Sequence, residues 1–350
     1  MGNIERLHPG VYLRDELEAL GMSSKEFSLR TGISERMLSG IINGECNITF
    51  DIAYKLSSFF GNTVNFWTNL QNNYDLYLKQ KEEEEALRSD WKLLKGVKDY
   101  LIKCHLIKES KDQEAMIKEA RALVGVNRLS LLERKDSFVS LKEQHVKTKG
   151  NEFEQNLWIA LALNEARKKA DAQYDKAKLK SSISTIRSLT RKDPEYFYPE
   201  LQTLLSECGV SFVLLPYLSK SNIYGATKWF NKDNVMLAIS NRGKSADLFW
   251  FTLFHELSHV LMEHKRQTLY YVKGIEDQEA DKMATDMLIS ESDWKSFVAK
   301  KVFNYDSIIA FADKVDILPC IVLGRLHKEK YLDYGTLYNK LNVSYEIVIG

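Results

Sequence analysis

The segment from Ala246 to His264 constrains the chain most, because it is apolar on nearly every side until three chemically active side chains interrupt it. It reads A-D-L-F-W-F-T-L-F-H-E-L-S-H-V-L-M-E-H. A helix that is apolar all round is a buried helix. Residues four apart lie on one face of a helix, so His255 and His259 can bind a single metal ion. Glu256 lies beside them and is the candidate general base for a water held by that metal.

The alternative is that these three side chains are ordinary core residues. A buried glutamate flanked by two histidines carries a large desolvation cost unless something compensates it. H-E-x-x-H is also a rare pattern in a chain with 7 His among 350 residues. We therefore favour a metal site, active or decayed, over a structural accident.

Length and composition are those of an ordinary globular chain of two or three domains. The net charge is +1 and 28% of the residues are charged, so no global excess points to nucleic acid or to a membrane surface. The 4 cysteines are far apart and form neither a C-x-x-C pair nor a disulfide framework. The sequence has no signal core and no run of about 18 apolar residues, so we expect a soluble cytoplasmic protein without a membrane partner.

The pattern of elements predicts an α+β, mostly helical chain in three parts. The parts are a helix-turn-helix bundle (residues 1–75), a charged helical connector (76–180) and a domain that contains the metal helix and a small sheet (181–350). The strand candidates are Val210–Leu215, Ile223–Phe230 and Val235–Ser240. We expect the strand at Tyr224–Trp229 to line the cleft beside the metal helix, where an extended peptide can add to a sheet edge.

In the first part, two short helices at Lys25–Thr31 and Glu35–Ile42 are joined by T-G-I-S and form a helix-turn-helix. The second helix of such a pair enters the DNA major groove and presents its first residues to base edges. Lys25 is a candidate for phosphate contact. The outward positions that are candidates for DNA contact are Ser34, Glu35, Arg36, Ser39 and Asn43.

The charge of this module opposes simple attraction to DNA. Residues 1–73 hold six Lys or Arg against eight Asp or Glu. Phosphate attraction dominates most DNA affinity, so binding here depends on local orientation, helix N-termini and dimerisation. The alternative is a small helical bundle used for protein contact.

Three segments of the module carry a more specific pattern. They read L-H-P-G-V-Y-L-R-D-E-L-E-A-L-G-M-S, G-I-S-E-R-M-L-S-G-I-I-N-G and F-W-T-N-L-Q-N-N-Y-D. This pattern resembles the HigA-type antitoxin DNA-binding domain of the XRE helix-turn-helix class. The resemblance covers the whole module and implies a homodimer that reads a palindromic, double-stranded operator.

A catalytic zinc needs three protein ligands and an open position. The acidic, helix-prone segment at residues 274–289 is the candidate source of the third ligand. Asp277 and Asp281 lie one turn apart in it, which suits a metal ligand and a carboxylate that holds a histidine ring. The alternative is an acidic helix start that complements the helix dipole.

Four segments of the third part match a second family. They read C-G-V-S-F-V-L-L-P, G-A-T-K-W-F, F-W-F-T-L-F-H-E-L-S-H and E-A-D-K-M-A. They resemble the ImmA/IrrE family of metallopeptidase domains, which implies a zincin-like fold with Zn²⁺ as cofactor. By position, His255 and His259 are metal ligands and Glu256 is the base. Asp277 stands where that family has a glutamate ligand, and Glu276 or Glu279 could replace this shorter carboxylate.

Together the two resemblances imply a DNA-binding regulator or antitoxin with a zinc-dependent peptidase domain that cleaves or senses a protein substrate or cognate toxin. One alternative is an antitoxin-type repressor whose peptidase-like domain binds a partner without hydrolysing it. A second alternative is a peptidase whose N-terminal module only recruits a protein.

Overall fold

Helices make up most of the chain, as the sequence predicts, and one small sheet accompanies them. The computed structural model describes residues 7–134, 151–169, 172–263, 268–271 and 277–345. By its internal contacts the chain separates into two units, Met1–Ser89 and Asp90–Gly350. The mostly helical α+β class with an N-terminal helix-turn-helix is confirmed. The zincin-like classification of the second unit stays a prediction.

The first unit contains four short helices and the start of a long one. They are α1 (Pro9–Ala19), α2 (Ser24–Thr31), α3 (Glu35–Ile42), α4 (Phe50–Phe60) and α5 (Val64–Lys103). The hydroxyls of Ser23 and Ser34 accept hydrogen bonds of 3.2 Å from backbone N–H groups three residues later, and so cap α2 and α3. Gly32 ends α2 with φ of 67°, a left-handed conformation that favours glycine. The sequence therefore predicts α2 and α3 to within one residue of their observed ends.

Helices α1 and α3 approach each other closely at Gly10. A Cβ atom there would lie 1.7 Å from the carbonyl oxygen of Ile41, so only glycine fits. His8 caps α1 through Nδ1, which accepts a hydrogen bond of 3.0 Å from the Gly10 N–H. Burial lowers the pKa of His8, against the opposing charge of Asp75, and favours the neutral ring that this cap requires. The start of α1 is thereby fixed against the end of α3.

The F-W-x-N-L-Q run, singled out by the HigA resemblance, supplies a core residue of the first unit. Trp67 is fully buried, and its Nε1 donates a hydrogen bond of 2.9 Å to Oδ1 of Asn62. The rings of Phe60 and Phe66 pack against it with centroids 5.6 and 5.3 Å away. This run therefore anchors the start of α5 to the helix-turn-helix.

Helix α5 is 40 residues long and runs without a break through residues 75 and 76, where a domain boundary is predicted from the sequence. Its charged middle contains no Gly or Pro between residues 76 and 89. Ion pairs along its surface, such as that of Lys79 with Glu82 at 2.8 Å, suit a solvated helix. The compact units divide at Ser89 and Asp90, within this helix. The three-part division of the chain stays a prediction.

A buried carboxylate organises the beginning of the second unit. Asp90 is fully buried and accepts hydrogen bonds of 2.7 Å from Nε of Arg121 and 2.8 Å from the backbone N–H of Leu129. These three residues lie on α5, on α6 (Gln113–Val124) and on a short 3-10 turn. A buried charge is tolerated only when it is paired and hydrogen-bonded, so Asp90 fixes how these elements meet.

Four strands form the sheet, in the spatial order β1-β3-β2-β4. They are β1 (Val210–Leu215), β2 (Gly225–Trp229), β3 (Val235–Ser240) and β4 (Thr268–Tyr271). β1 pairs parallel with β3, and β2 pairs antiparallel with both β3 and β4. Two of the three predicted strands have the observed bounds, and the third begins two residues later and ends one residue earlier than predicted. The strand expected to line the cleft is therefore a central strand rather than an edge.

The remaining helices surround this sheet. They are α7 (Glu152–Lys168), α8 (Lys176–Ser188), α9 (Pro194–Glu207), α10 (Ala246–Leu261), α11 (Gln278–Leu288), α12 (Glu291–Val298), α13 (Tyr305–Lys314) and α14 (Pro319–Lys328). Helix α10 packs against β2, β3 and β4 on one side and against α11 and α14 on others, so it is enclosed as the sequence predicts. Among the described residues, no helix is long and apolar enough to cross a membrane.

The Asp90 network yields a stability prediction. Asp90→Asn removes the charge that compensates the Arg121 guanidinium, so we expect a loss of about 3 kcal/mol of unfolding free energy, as for one broken partner of a buried pair. Asp99→Asn is the matched control, because that side chain on the same helix is 89% exposed. Urea unfolding followed by circular dichroism measures both. Equal midpoints for the two variants would contradict the assigned role of Asp90.

Candidate metal centre and nucleic-acid interface

The H-E-x-x-H residues lie in the most enclosed part of the second unit. Their exposed fractions are 2% for His255, 0% for Glu256 and 3% for His259. Apolar residues of α10 surround them because that helix is covered by the sheet and by two further helices. The three polar side chains therefore interact with one another and with a few neighbours instead of with bulk water.

The two imidazoles are brought together as the spacing predicts. Nε2 of His255 lies 3.2 Å from Nε2 of His259, and the rings meet edge to face. Two nitrogen ligands of a tetrahedral zinc, each about 2.0–2.1 Å from the metal, are about 3.3 Å apart. The separation of the two nitrogens therefore fits a pair of zinc ligands.

A carboxylate on α11 holds the far side of one imidazole. Oδ1 of Asp281 lies 2.9 Å from Nδ1 of His255, and Oδ2 lies 3.2 Å from Nζ of Lys328. Burial alone would raise the pKa of Asp281, but the hydrogen bond with His255 and the charge of Lys328 lower it below its ordinary value. An ionised Asp281 favours a proton on Nδ1 of His255, which leaves Nε2 as the nitrogen with a lone pair.

Asp277, the predicted third ligand, lies close to this pair but outside bonding distance. Its Oδ2 is 3.9 Å from Nε2 of His259, and its Oδ1 accepts a hydrogen bond of 3.1 Å from the Ala280 N–H as the N-cap of α11. In the described ranges no three His, Cys, Asp or Glu side chains are gathered closely enough to hold a metal. Of the two substitutes, Glu279 is exposed and Glu276 lies outside the described residues.

Thr227 is a site residue that the sequence reasoning missed. Its hydroxyl donates a hydrogen bond of 2.7 Å to Oε2 of Glu256, and both side chains are buried. Gly225, two residues earlier on the same face of β2, allows this contact, because a Cβ there would lie 2.9 Å from Cγ of Glu256. The available signal was a hydroxyl residue that lies between Gly225 and Trp229 on one face of the strand.

The face of β2, rather than its edge, therefore meets the metal helix. Strand β4 lies on the outer side of β2 and provides the edge of the sheet there. In the described part of the chain no further strand pairs with β4. An extended peptide that added to this side of the sheet would pair with β4.

In the first unit, all of the predicted DNA-contacting side chains are exposed. Ser34 is the N-cap of α3, Glu35 and Arg36 form its first turn, and Ser39 and Asn43 lie one turn apart near its end. Nδ2 of Asn43 donates to Oγ of Ser39 at 3.3 Å. Lys25 lies in the first turn of α2. These residues are presented to solvent on the helix pair, while their contacts with DNA stay a prediction.

The N-terminal module also matches known proteins. The helix-turn-helix family model HTH_3 matches residues 13–67. Virulence-associated protein A' of Dichelobacter nodosus is 34% identical over 85 residues, which cover 24% of this chain and 74% of that protein. Antitoxin HigA-1 of Vibrio cholerae is 37% identical over 71 residues, which cover 20% of this chain and 67% of that protein.

A solved structure matches a similar share of the chain. It is the Pseudomonas aeruginosa antitoxin HigA, determined with the higBA promoter. That chain is 28% identical, and the match covers 23% of this chain and 88% of the antitoxin, with a TM-score of 0.22.

The contact between Thr227 and Glu256 yields a prediction that does not depend on a metal. Thr227→Val keeps the shape of the side chain but removes the donor from a buried carboxylate, so we expect a loss of about 1–3 kcal/mol in unfolding free energy. Thr227→Ser retains the hydroxyl and should recover most of that loss. Chemical denaturation measures both variants. Equal stability of the valine and serine variants would show that the hydroxyl contributes nothing.

Proposed function

Because the chain belongs, through residues 13–67, to the HTH_3 helix-turn-helix family of DNA-binding regulators and antitoxins, we propose that it binds a double-stranded operator and regulates transcription. The observation that carries this proposal is the solvent-facing start of α3, with Arg36 exposed in its first turn. An arginine at this position can donate two hydrogen bonds to guanine in the major groove. The site of action is then the cytoplasm, where the operator is found.

The N-terminal module carries more acidic than basic residues, which limits how it can bind DNA. Because net attraction to phosphate is weak, the N-terminal ends of α2 and α3 and a second copy of the module must supply much of the affinity. Phe50 and Tyr54 support an association of this kind, since they lie one turn apart on α4 and are 71% and 60% exposed. A homodimer on a palindromic operator is the arrangement we propose.

For the second unit we propose a zinc-dependent peptidase site of the ImmA/IrrE type. His255 and His259 would hold the metal, with Asp277 as the third ligand after a small shift toward it. A bound zinc supplies Lewis-acid chemistry, which activates water at neutral pH and polarises a peptide carbonyl. Asp281 orients the His255 ring, and Glu256 would accept a proton as general base and deliver it to the leaving amine.

The substrate of such a site is a protein partner. If the neighbouring gene encodes a toxin or a second repressor, this regulator can control that protein by cleaving it or by binding it. We propose that the second unit acts on a cognate toxin or a protein substrate of this kind, with an extended segment of the partner lying along β4.

One observation favours the alternative of a domain that senses a partner without hydrolysing it. Asp277 already serves as the N-cap of α11, and its carboxylate is 3.9 Å from the nearest imidazole nitrogen. A carboxylate with a structural bond of this kind is a weaker zinc ligand than a longer glutamate in the same place. The metal and cleavage measurements below separate the two possibilities.

The DNA proposal predicts the effect of one substitution. Arg36→Ala should weaken binding to the DNA upstream of the protein's own gene by about 1–3 kcal/mol, because a base contact is lost. Arg14→Ala on α1 is the control, since it removes the same charge from an exposed position of the same module. Fluorescence anisotropy at fixed salt, with a scrambled duplex alongside, measures all three proteins. Equally weak binding by wild type and Arg36→Ala would favour protein recruitment by this module.

The metal proposal predicts a separation of affinity from activity. Asp281→Asn should lower zinc affinity about 10–100-fold, because it loosens the His255 ring. Asp277→Ala should also weaken binding, whereas Glu256→Gln should keep the metal and lose cleavage of the neighbouring gene product. Competition with a chromophoric chelator measures affinity, and mass spectrometry of the partner measures cleavage. A wild-type protein that binds no zinc rules out the enzyme; one that binds zinc without cleaving is a sensor.

A further inference from the structure

A small cavity lies beside the start of α10, at the loop that connects β3 to this helix. Its volume is about 10 Å³, which is enough for roughly one water-sized group. Besides two tyrosines, the polar residues that line it are Ser240, Asn241, Arg242, Lys244, Ser245 and Thr252. None of the metal-site residues lines it, so it is a separate feature of the second unit.

The charged side chains that line the cavity are all cationic. Arg242 and Lys244 both line it, and no aspartate or glutamate among the described residues does so. Asp247 of α10 contacts the Ser245 hydroxyl and lies against Gly324 of α14. The carboxylate of Glu256, which lies with Thr252 against Gly225, does not line the cavity and is bonded to Thr227. The positive end of the α10 dipole adds to the same potential.

Two buried donors at the cavity have no hydrogen-bond partner among the residues that the structure describes. Thr252 is 1% exposed, and in the described part of the chain its hydroxyl makes no hydrogen bond. Nη1 of Arg242 is likewise buried and without a hydrogen-bond partner there. Leaving such groups unsatisfied costs stability, more for a charged group than for a neutral one. A ligand that accepts hydrogen bonds would remove this cost.

The guanidinium of Arg242 is held in place by aromatic rings. Its Cζ atom lies 5.1 Å from the ring centroid of Tyr217 and 4.7 Å from that of Tyr224. Tyr217 is itself fixed by a hydrogen bond of 2.7 Å from its backbone N–H to Oδ1 of Asn241. The cation is therefore positioned before any ligand arrives, which reduces the entropy lost on binding.

We propose that this cavity is a binding site for one small monovalent anion, either chloride or the carboxylate of a small acid. Arg242 and Lys244 supply the charge, and the Thr252 hydroxyl donates a hydrogen bond from the helix. Both Thr252 and Glu256 lie against Gly225, so the bound anion stabilises the part of α10 that precedes the H-E-x-x-H residues. The site does not depend on a metal or on peptidase activity.

The experiment uses the full-length protein at constant ionic strength, with sodium methanesulfonate replaced stepwise by sodium chloride or sodium formate. At ten times the dissociation constant of the preferred anion, the unfolding constant of wild type should fall about eleven-fold. Arg242→Met and Thr252→Val should each remove this dependence, and Lys300→Met, an exposed charge elsewhere in the unit, should retain it. Thr252→Val preserves shape, so the test stands even if Arg242→Met does not fold.

The outcomes separate the sources of the anion and can overturn the site. Stabilisation by chloride alone identifies a halide site, and stabilisation by formate identifies a carboxylate site. The same response to all three anions, or a chloride response kept by both variants, would mean general screening and would refute the proposal. For the halide outcome, anomalous diffraction from a bromide-soaked crystal gives the direct answer, because a water in the cavity with no bromide peak refutes a halide site.

Discussion

The contact between β2 and α10 is the constraint on which the second unit depends. A glutamate with no exposed surface can sit in an apolar helix only if its carboxylate is satisfied, and Thr227 supplies a donor at 2.7 Å. That bond forms because Gly225 lets the strand come within contact distance of the helix. Strands β2, β3 and β4 all contact α10, and β2 makes the polar contact from a central position in the sheet. Close packing of β2 on α10 and the hydrogen bond to the buried carboxylate therefore depend on each other.

Around this point the polar groups are arranged in pairs rather than in a closed cluster. The imidazoles of His255 and His259 face each other, and Asp281 holds one of them from behind. Asp277 is near but is already bonded as a helix cap. The arrangement supplies two well-placed nitrogen donors and a nearby carboxylate. A metal-dependent enzyme and a sensor are therefore both chemically reasonable. For this reason metal affinity must be measured separately from cleavage.

Local signals in the sequence were sufficient for the helix-turn-helix, because Ser23, Ser34 and Gly32 define its helix ends through short-range hydrogen bonds and backbone conformation. The H-E-x-x-H pairing also followed from helical spacing alone. Thr227 could not be found this way, since its role arises from a contact with a residue 29 positions later in the chain. Helix α5 runs through the expected boundary because charged residues without Gly or Pro also form long helices.

The carboxylate of Asp281 links three helices at a single group. It belongs to α11, contacts an imidazole of α10 and binds the ammonium of Lys328 at the end of α14. Lys328 also lies over the ring of Phe251, one turn before His255. A molecule that bound Lys328 in place of Asp281 would remove a charge that lowers the pKa of Asp281. The carboxylate that holds the His255 ring would then be more basic and less firmly fixed. The outer surface of the helical layer can thus influence how firmly a buried imidazole is held.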